Sequence, residues 1–133
     1  MAQDVKDSFT VQELYDLAKA TMFEKPTSKD YDNYIIPWLN VLLQENFNLN
    51  NHLRLKHDED ELEECPWMEN MTDEVPYEVE MCREILPYGL AANFFIDDDL
   101  SKYDILHRYY ENMQSKYSWG VEVKVEDTYG GMD

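Results

Sequence analysis

The fold is decided by the stretch Tyr103-Asp104-Ile105-Leu106-His107-Arg108-Tyr109-Tyr110-Glu111-Asn112-Met113-Gln114-Ser115-Lys116-Tyr117. Large side chains recur in it at spacings of three, four, three and four, namely Tyr103, Leu106, Tyr110, Met113 and Tyr117. This spacing places them on one face of a helix, and it is typical of the seam along which helices of a bundle pack. Asp97-Asp98-Asp99 precedes the stretch and should cap it with negative charge at its positive end.

Two more helices are expected near the start of the chain. Thr10 and Glu13 have the spacing of a capping box, so the first helix should start after Thr10 and end before Pro26. The second should span about residues 30–47, where apolar residues again recur at helical spacing. Pro37 lies inside it and predicts a kink or a 3₁₀ first turn. The asparagines of residues 46–51 should end it.

A third helix is expected from Asp73, as its cap, to about Phe95. Pro87 predicts a bend in it. Gly89, together with the alanines that follow, leaves room for another helix to approach closely. The predicted fold class is therefore mainly α, a bundle of about four helices over residues 1–118.

The segment between the second and third helices is dense in acid. We expect residues 52–76 to form a long solvated loop, because like charges this close together repel one another. A short strand or hairpin around Leu53–Leu55 and Trp67–Met68 is an alternative for part of it. The acidic residues that could face a channel or a partner are Asp58, Glu59, Asp60, Glu61, Glu63 and Glu64.

Residues 119–133 are expected to form a C-terminal extension. Trp119-Gly120 should stop the last helix, and Val121–Val125 alternates apolar and polar residues with the period of a β-strand. A lone strand needs a neighbour to satisfy its backbone groups. Two partners stay open at this point: the loop of residues 52–67 in the same chain, or a sheet of another protein.

The charge balance restricts the possible functions. The chain of 133 residues carries 29 acidic residues against 11 lysines and arginines, a formal net charge of −18. Binding to nucleic acid phosphates needs clustered cations, so we do not expect tight nucleic-acid binding. With 44% hydrophobic residues the chain has enough material for a core. We expect no membrane span, because its apolar runs are short, and no secretion signal, because its start is polar.

No pattern of an enzyme, cofactor site or metal site is found. The three histidines include no HExxH pair, and Cys65 and Cys82 are too far apart in sequence for a CxxC motif. Asp97-Asp98-Asp99 starts like a calcium loop, but Lys102 and Arg108 occupy the positions that need glycine and glutamate. We therefore expect a non-catalytic binding protein with no cofactor and no metal, whose cysteines stay reduced in a cytoplasmic setting.

One stretch resembles a known family. Asp73-Glu74-Val75-Pro76-Tyr77-Glu78, Leu86-Pro87-Tyr88-Gly89-Leu90-Ala91 and Asp97-Asp98-Asp99, followed by the tyrosine-rich helix, resemble the C-terminal half of head–tail adaptor (connector, or head-completion) proteins of tailed bacteriophages. The segments Thr10–Leu17 and Trp38–Leu43 also resemble the first two helices of that family. The resemblance covers most of residues 10–117.

The resemblance implies a structural virion protein, made in the bacterial host cytoplasm and located at the head–tail interface. Such proteins form a ring, typically a dodecamer, below the portal protein, where they extend the DNA channel and offer a docking surface for tail or neck proteins. A C-terminal extension often grips the portal. The portal-binding residues here would be Trp119, Val121, Val123, Val125 and Tyr129.

Two other functions stay open. An acidic protein of this size could mimic DNA and inhibit a DNA-processing protein, although the acids here cluster in one loop and at helix ends rather than in long stripes. The chain could also be a regulatory helical module with no role in a phage.

Overall fold

The protein is mainly α-helical, as the sequence predicts. The computed structural model describes residues 7–118. Its elements are β1 (Phe9–Thr10), α1 (Val11–Thr21), α2 (Ile35–Glu45), α3 (Phe47–Lys56), β2 (Glu74–Val75), a π-helical turn (Met81–Ile85), α4 (Leu86–Phe94) and α5 (Leu100–Tyr117). In this part of the chain no helix is long and apolar enough to cross a membrane. The extension of residues 119–133, with its predicted strand, lies outside the described residues.

The capping box at the start of α1 is confirmed. The side chain of Thr10 accepts a hydrogen bond from the backbone of Glu13 at 3.2 Å, and the backbone N–H of Thr10 donates to Glu13 Oε1 at 2.9 Å. Helix α1 ends before Pro26, as expected, at Thr21. The chain then turns through Phe23, whose φ of 60° lies in the left-handed region that no helix continues through.

Helix α4 is the centre of the core and packs against α1, α2 and α5. Its own residues are buried on most sides of the helix, which is typical of a central core helix. Gly89 allows the expected close approach: a Cβ there would lie 2.9 Å from Tyr110 Cε1 on α5 and 3.0 Å from both δ-methyls of Leu42 on α2. The absence of a side chain at Gly89 therefore sets how closely the three helices pack.

Helix α5 carries the predicted seam. Leu106 and Tyr110 are buried, while Tyr103, Met113 and Tyr117 are partly buried against the core. Its N-cap is Asp99, whose carboxylate accepts a hydrogen bond from the backbone N–H of Lys102 at 3.1 Å. Periodicity and capping chemistry thus located this helix correctly from sequence.

The second helix starts later than predicted. Residues 30–34 form turns, and α2 begins at Ile35, so that Pro37 lies in the first helical turn, where its missing N–H is not needed. The helix does end at the first of the asparagines, since Asn46 is its C-cap, but residues 47–51 are helical because α3 follows directly. The side chain of Asn46, between the two helices, donates to the carbonyl of Leu42 at 2.9 Å.

The predicted loop and third helix also need correction. The alternative of a short strand or hairpin is wrong, because Leu53–Leu55 belongs to α3 and Trp67–Met68 is not in a strand. The third helix does not start at Asp73. Residues Glu74–Val75 are extended instead, because β2 pairs antiparallel with β1, with Phe9 opposite Val75.

Around Pro87 the structure has a π-helical turn followed by α4. The backbone N–H of Leu86 donates to the carbonyl of Met81, five residues back, which is the π pattern. Pro87 is then the second residue of α4, in its first turn. The helix thus accommodates a residue with no N–H by changing its hydrogen-bond period just before it.

Candidate functional site: the acidic loop

The acidic loop, residues 57–73, runs from the end of α3 to the start of β2. It is shorter than the predicted segment of residues 52–76, since α3 extends to Lys56. All six predicted acidic residues of this loop are exposed to solvent: Asp58, Glu59, Asp60, Glu61, Glu63 and Glu64. Exposed carboxylates can contact a partner, although Glu59 already pairs with Arg54 at 3.9 Å. Their role at a channel or interface stays a prediction.

Two asparagine side chains hold the loop on the helices. Asn51 of α3 accepts from the backbone N–H of Leu62 at 2.8 Å and donates to the carbonyl of the same residue at 3.2 Å. Asn40 of α2 makes the same pair of bonds to Met68, at 2.8 and 3.0 Å. Each amide takes the place that a neighbouring strand would take, so an irregular loop keeps its backbone groups satisfied.

An ion-pair cluster fixes the start of the loop. His57 lies between two carboxylates, with Nδ1 at 2.7 Å from Glu78 and Nε2 at 2.9 Å from Glu80. Carboxylates only accept hydrogen bonds, so an imidazole held in this way must carry protons on both nitrogens. Arg54 adds a bond from Nε to the carbonyl of Asp60 at 2.5 Å and an ion pair to Glu78 at 3.3 Å.

The environment of the cluster shifts two pKa values. The hydrogen bond to Glu78 raises the pKa of His57 above its usual value, and partial burial opposes this only in part. The pKa of the exposed Glu59 carboxyl is also raised, chiefly by its hydrogen bond with Glu78 and by repulsion from that carboxylate. The start of the loop is therefore held most firmly when His57 is charged.

The same cluster has the spacing of a cation site. His57, Glu59 and Glu78 are the one set among residues 7–118 whose possible ligand atoms all lie within 4.8 Å of one another. However, the guanidinium of Arg54 lies 3.3 Å from Glu78 and 3.9 Å from Glu59, so a cation already accompanies both carboxylates. We interpret the cluster as an ion-pair network, and the expected absence of a metal stays a prediction.

The end of the loop is fixed by Asp73 and Tyr77. The carboxylate of Asp73 accepts from the backbone N–H groups of Glu69 and Asn70, both at 2.8 Å, and these bonds lower the pKa of its carboxyl. The hydroxyl of Tyr77 donates to the carbonyl of Leu43 in α2. Asp73 therefore closes a turn within the loop, not the helix that its position in the sequence suggests.

The sequence identified the exposed acids but not the residues that position them. Arg54, His57 and Glu78 are separated by up to 24 positions, and Asn51 looked like a helix breaker. The helical spacing of the asparagines could have indicated residues that hold the loop. This spacing is meaningful only if residues 46–51 are interpreted as helical. The predicted portal-binding residues Trp119, Val121, Val123, Val125 and Tyr129 lie outside the described residues.

Comparison with models of known protein families found no match, and neither did comparisons with curated protein sequences and with solved structures.

Proposed function

We propose that this protein is a head–tail adaptor of a tailed bacteriophage: a structural, non-catalytic virion protein that forms a ring below the portal. In this proposal the ring extends the DNA channel and provides the surface on which tail or neck proteins dock. The observation that carries it is the pairing of α4 with α5. The stretch that resembles the adaptor family forms these two helices, and Gly89 brings them together at the centre of the domain.

The acidic loop supports the same proposal on electrostatic grounds. Six exposed carboxylates lie within seven consecutive positions, from Asp58 to Glu64. A surface of this kind repels phosphates, so DNA can pass it without being held. The loop is also fastened to α2 and α3 by Asn40 and Asn51, and it can therefore present its charges in a defined place.

The extension of residues 119–133 is the proposed attachment to the portal. Its alternating segment Val121–Val125 suits addition to a sheet of the portal by backbone pairing. Within residues 7–118 the sheet consists of β1 and β2 alone, each of two residues.

Co-assembly with a portal ring tests the proposal directly. The full chain and a variant ending at Ser118 should be mixed with purified portal rings and analysed by size-exclusion chromatography with light scattering. We expect the full chain to join the portal in a ring. The shortened variant should stay folded by circular dichroism and fail to join. A full chain that never binds a portal contradicts the assignment.

The competing DNA-mimic function predicts a different result. A mimic should form a stable complex with a nuclease or repressor and should compete with DNA for it. Reversing the charges of Asp58–Glu64 should abolish that competition. In an adaptor the same reversal should instead slow DNA ejection from assembled particles, because cations on the channel surface would bind phosphates.

A further inference from the structure

A second surface lies away from the acidic loop, in an open groove of about 500 Å³. Residues 30–38, the turns before α2 and its first helical turn, form one side, and residues 93–98, the end of α4 and the turn after it, form the other. We call it the aromatic–acidic groove. Among residues 7–118 its lining combines aromatic rings with carboxylates and contains no lysine or arginine.

Aromatic rings make up the apolar part of the groove. Tyr31 stacks on Phe94, with ring centroids 4.7 Å apart and planes inclined by only 13°. Phe94 is buried and Trp38 is partly buried, so these rings are held by the core. Tyr34, by contrast, is 55% exposed. A rigid aromatic surface with one accessible ring is thus open to a ligand.

Three aspartates supply the charge. Asp30, Asp97 and Asp98 are all exposed, and within residues 7–118 none of their carboxylates makes an ion pair. Burial raises the pKa of Tyr31, and the nearby carboxylates of Glu24, Asp98 and Asp30 raise it further. The groove therefore carries negative charge, and within residues 7–118 no lysine or arginine pairs with its carboxylates.

We propose that the aromatic–acidic groove binds an arginine side chain presented by a basic segment of a partner protein. A guanidinium can stack on the face of a tyrosine or tryptophan and donate to carboxylates at the same time. The aromatic faces and the unpaired aspartates of the groove match both properties. Nucleic acid does not fit, because the lining has no cation to meet a phosphate.

This proposal is independent of the adaptor assignment. An adaptor could use the groove to hold a basic segment of a neighbouring virion protein, and a regulatory module could use it equally well. The groove would keep its arginine specificity even if the portal experiment failed, so the two proposals are tested separately.

Trp38 in the groove gives a direct readout. A variant with Trp67→Phe and Trp119→Phe leaves Trp38 as the one tryptophan of the chain, and it removes the signal of Trp67, which is 64% exposed in the acidic loop. In this background a blocked peptide with two arginines should be titrated while Trp38 emission is followed. The matched peptide carries citrulline in place of arginine, which keeps the shape of the side chain and removes its charge. We expect saturable binding of the arginine peptide and at least about tenfold weaker binding of the citrulline peptide.

Variants of the protein locate the binding. Asp97→Asn with Asp98→Asn should weaken binding of the arginine peptide by about tenfold, and Tyr34→Ala should weaken it independently. The matched control is Asp58→Asn with Asp60→Asn, which removes the same charge from the acidic loop. Asparagine tolerates the left-handed φ of 61° at position 58, so the control should fold normally.

Three results would overturn the proposal. The first is an absence of binding at millimolar peptide. The second is equal affinity for the arginine and citrulline peptides. The third is equal weakening by the groove pair and the loop pair, because that would mean attraction by net charge alone. Circular dichroism of each variant shows whether the fold is kept. Within residues 7–118 the carboxylates of these aspartates make no ion pair, so we expect the fold to be unchanged.

Discussion

Replacing Gly89 with alanine should destabilise the protein, although alanine is the better helix former. The new Cβ would lie 2.9 Å from Tyr110 Cε1 and 3.0 Å from both δ-methyls of Leu42. Neither neighbour can move freely. The hydroxyl of Tyr110 donates to Glu45 at 2.7 Å and accepts from Asn46 at 2.8 Å, while Leu42 is only 1% exposed.

Two opposing free energies set the magnitude. Alanine in place of glycine inside a helix contributes about 1 kcal/mol of stability. Forcing an extra methyl into a close-packed core costs about 1–3 kcal/mol, because neighbours must leave their preferred rotamers. Since the contacts converge from two helices, we expect the packing cost to exceed the gain. The free energy of unfolding should fall by about 1 kcal/mol.

Urea unfolding followed by circular dichroism measures this change. With a slope of about 2 kcal/mol per molar, the midpoint should fall by roughly 0.5 M. A Leu42→Ala background provides the control, because it removes both methyls that the new Cβ would meet. In that background Gly89→Ala should cost less, with a coupling energy of about 1 kcal/mol. An unchanged or higher midpoint for Gly89→Ala alone would refute the close three-helix packing.

Three further measurements probe other parts of the structure. Thr10→Ala should lower the free energy of unfolding by about 1 kcal/mol through loss of the α1 cap, whereas Thr10→Ser should keep most of it in the same urea assay. Because the pKa of His57 is raised on folding, its contribution to the free energy of unfolding is complete below about pH 6.5 and is lost as pH rises through the folded-state pKa. His57→Gln should therefore lower the free energy of unfolding at pH 6, by less than about 1 kcal/mol because the side chain is partly exposed. Its effect should be smaller at pH 9. An equal effect at both pH values would contradict an imidazole that donates to two carboxylates. Burial raises the pKa of Cys82 to about 12, so a thiol reagent should modify the half-buried Cys65 in the native protein and reach Cys82 only after denaturation. Rapid modification of two thiols in the native state would show that Cys82 is not enclosed by the core.

Features that depend on neighbours along the chain could be predicted from the amino-acid sequence. A cap needs only a residue and the backbone three positions on, so Thr10 and Asp99 revealed the starts of α1 and α5. The seam of α5 repeats within a single helix, and Gly89 indicated a close approach without saying what approaches. The exposure of the acidic residues in Asp58–Glu64 could also be predicted, because like charges at this density repel one another and favour solvent.

Features that join distant segments became visible only in the three-dimensional structure. Asparagines favour turns locally, yet residues 47–51 are helical. The side chain of Asn51 accepts from the backbone N–H of Leu62, 11 positions away, and the side chain of Asn50 accepts from that of Glu78, 28 positions away. Val75 became a strand residue because Phe9 pairs with it. The ion-pair cluster around His57 and the aromatic–acidic groove likewise depend on chain segments meeting in space. Local propensity is a preference of about 1 kcal/mol per residue, and buried hydrogen bonds and packing between remote segments outweigh it.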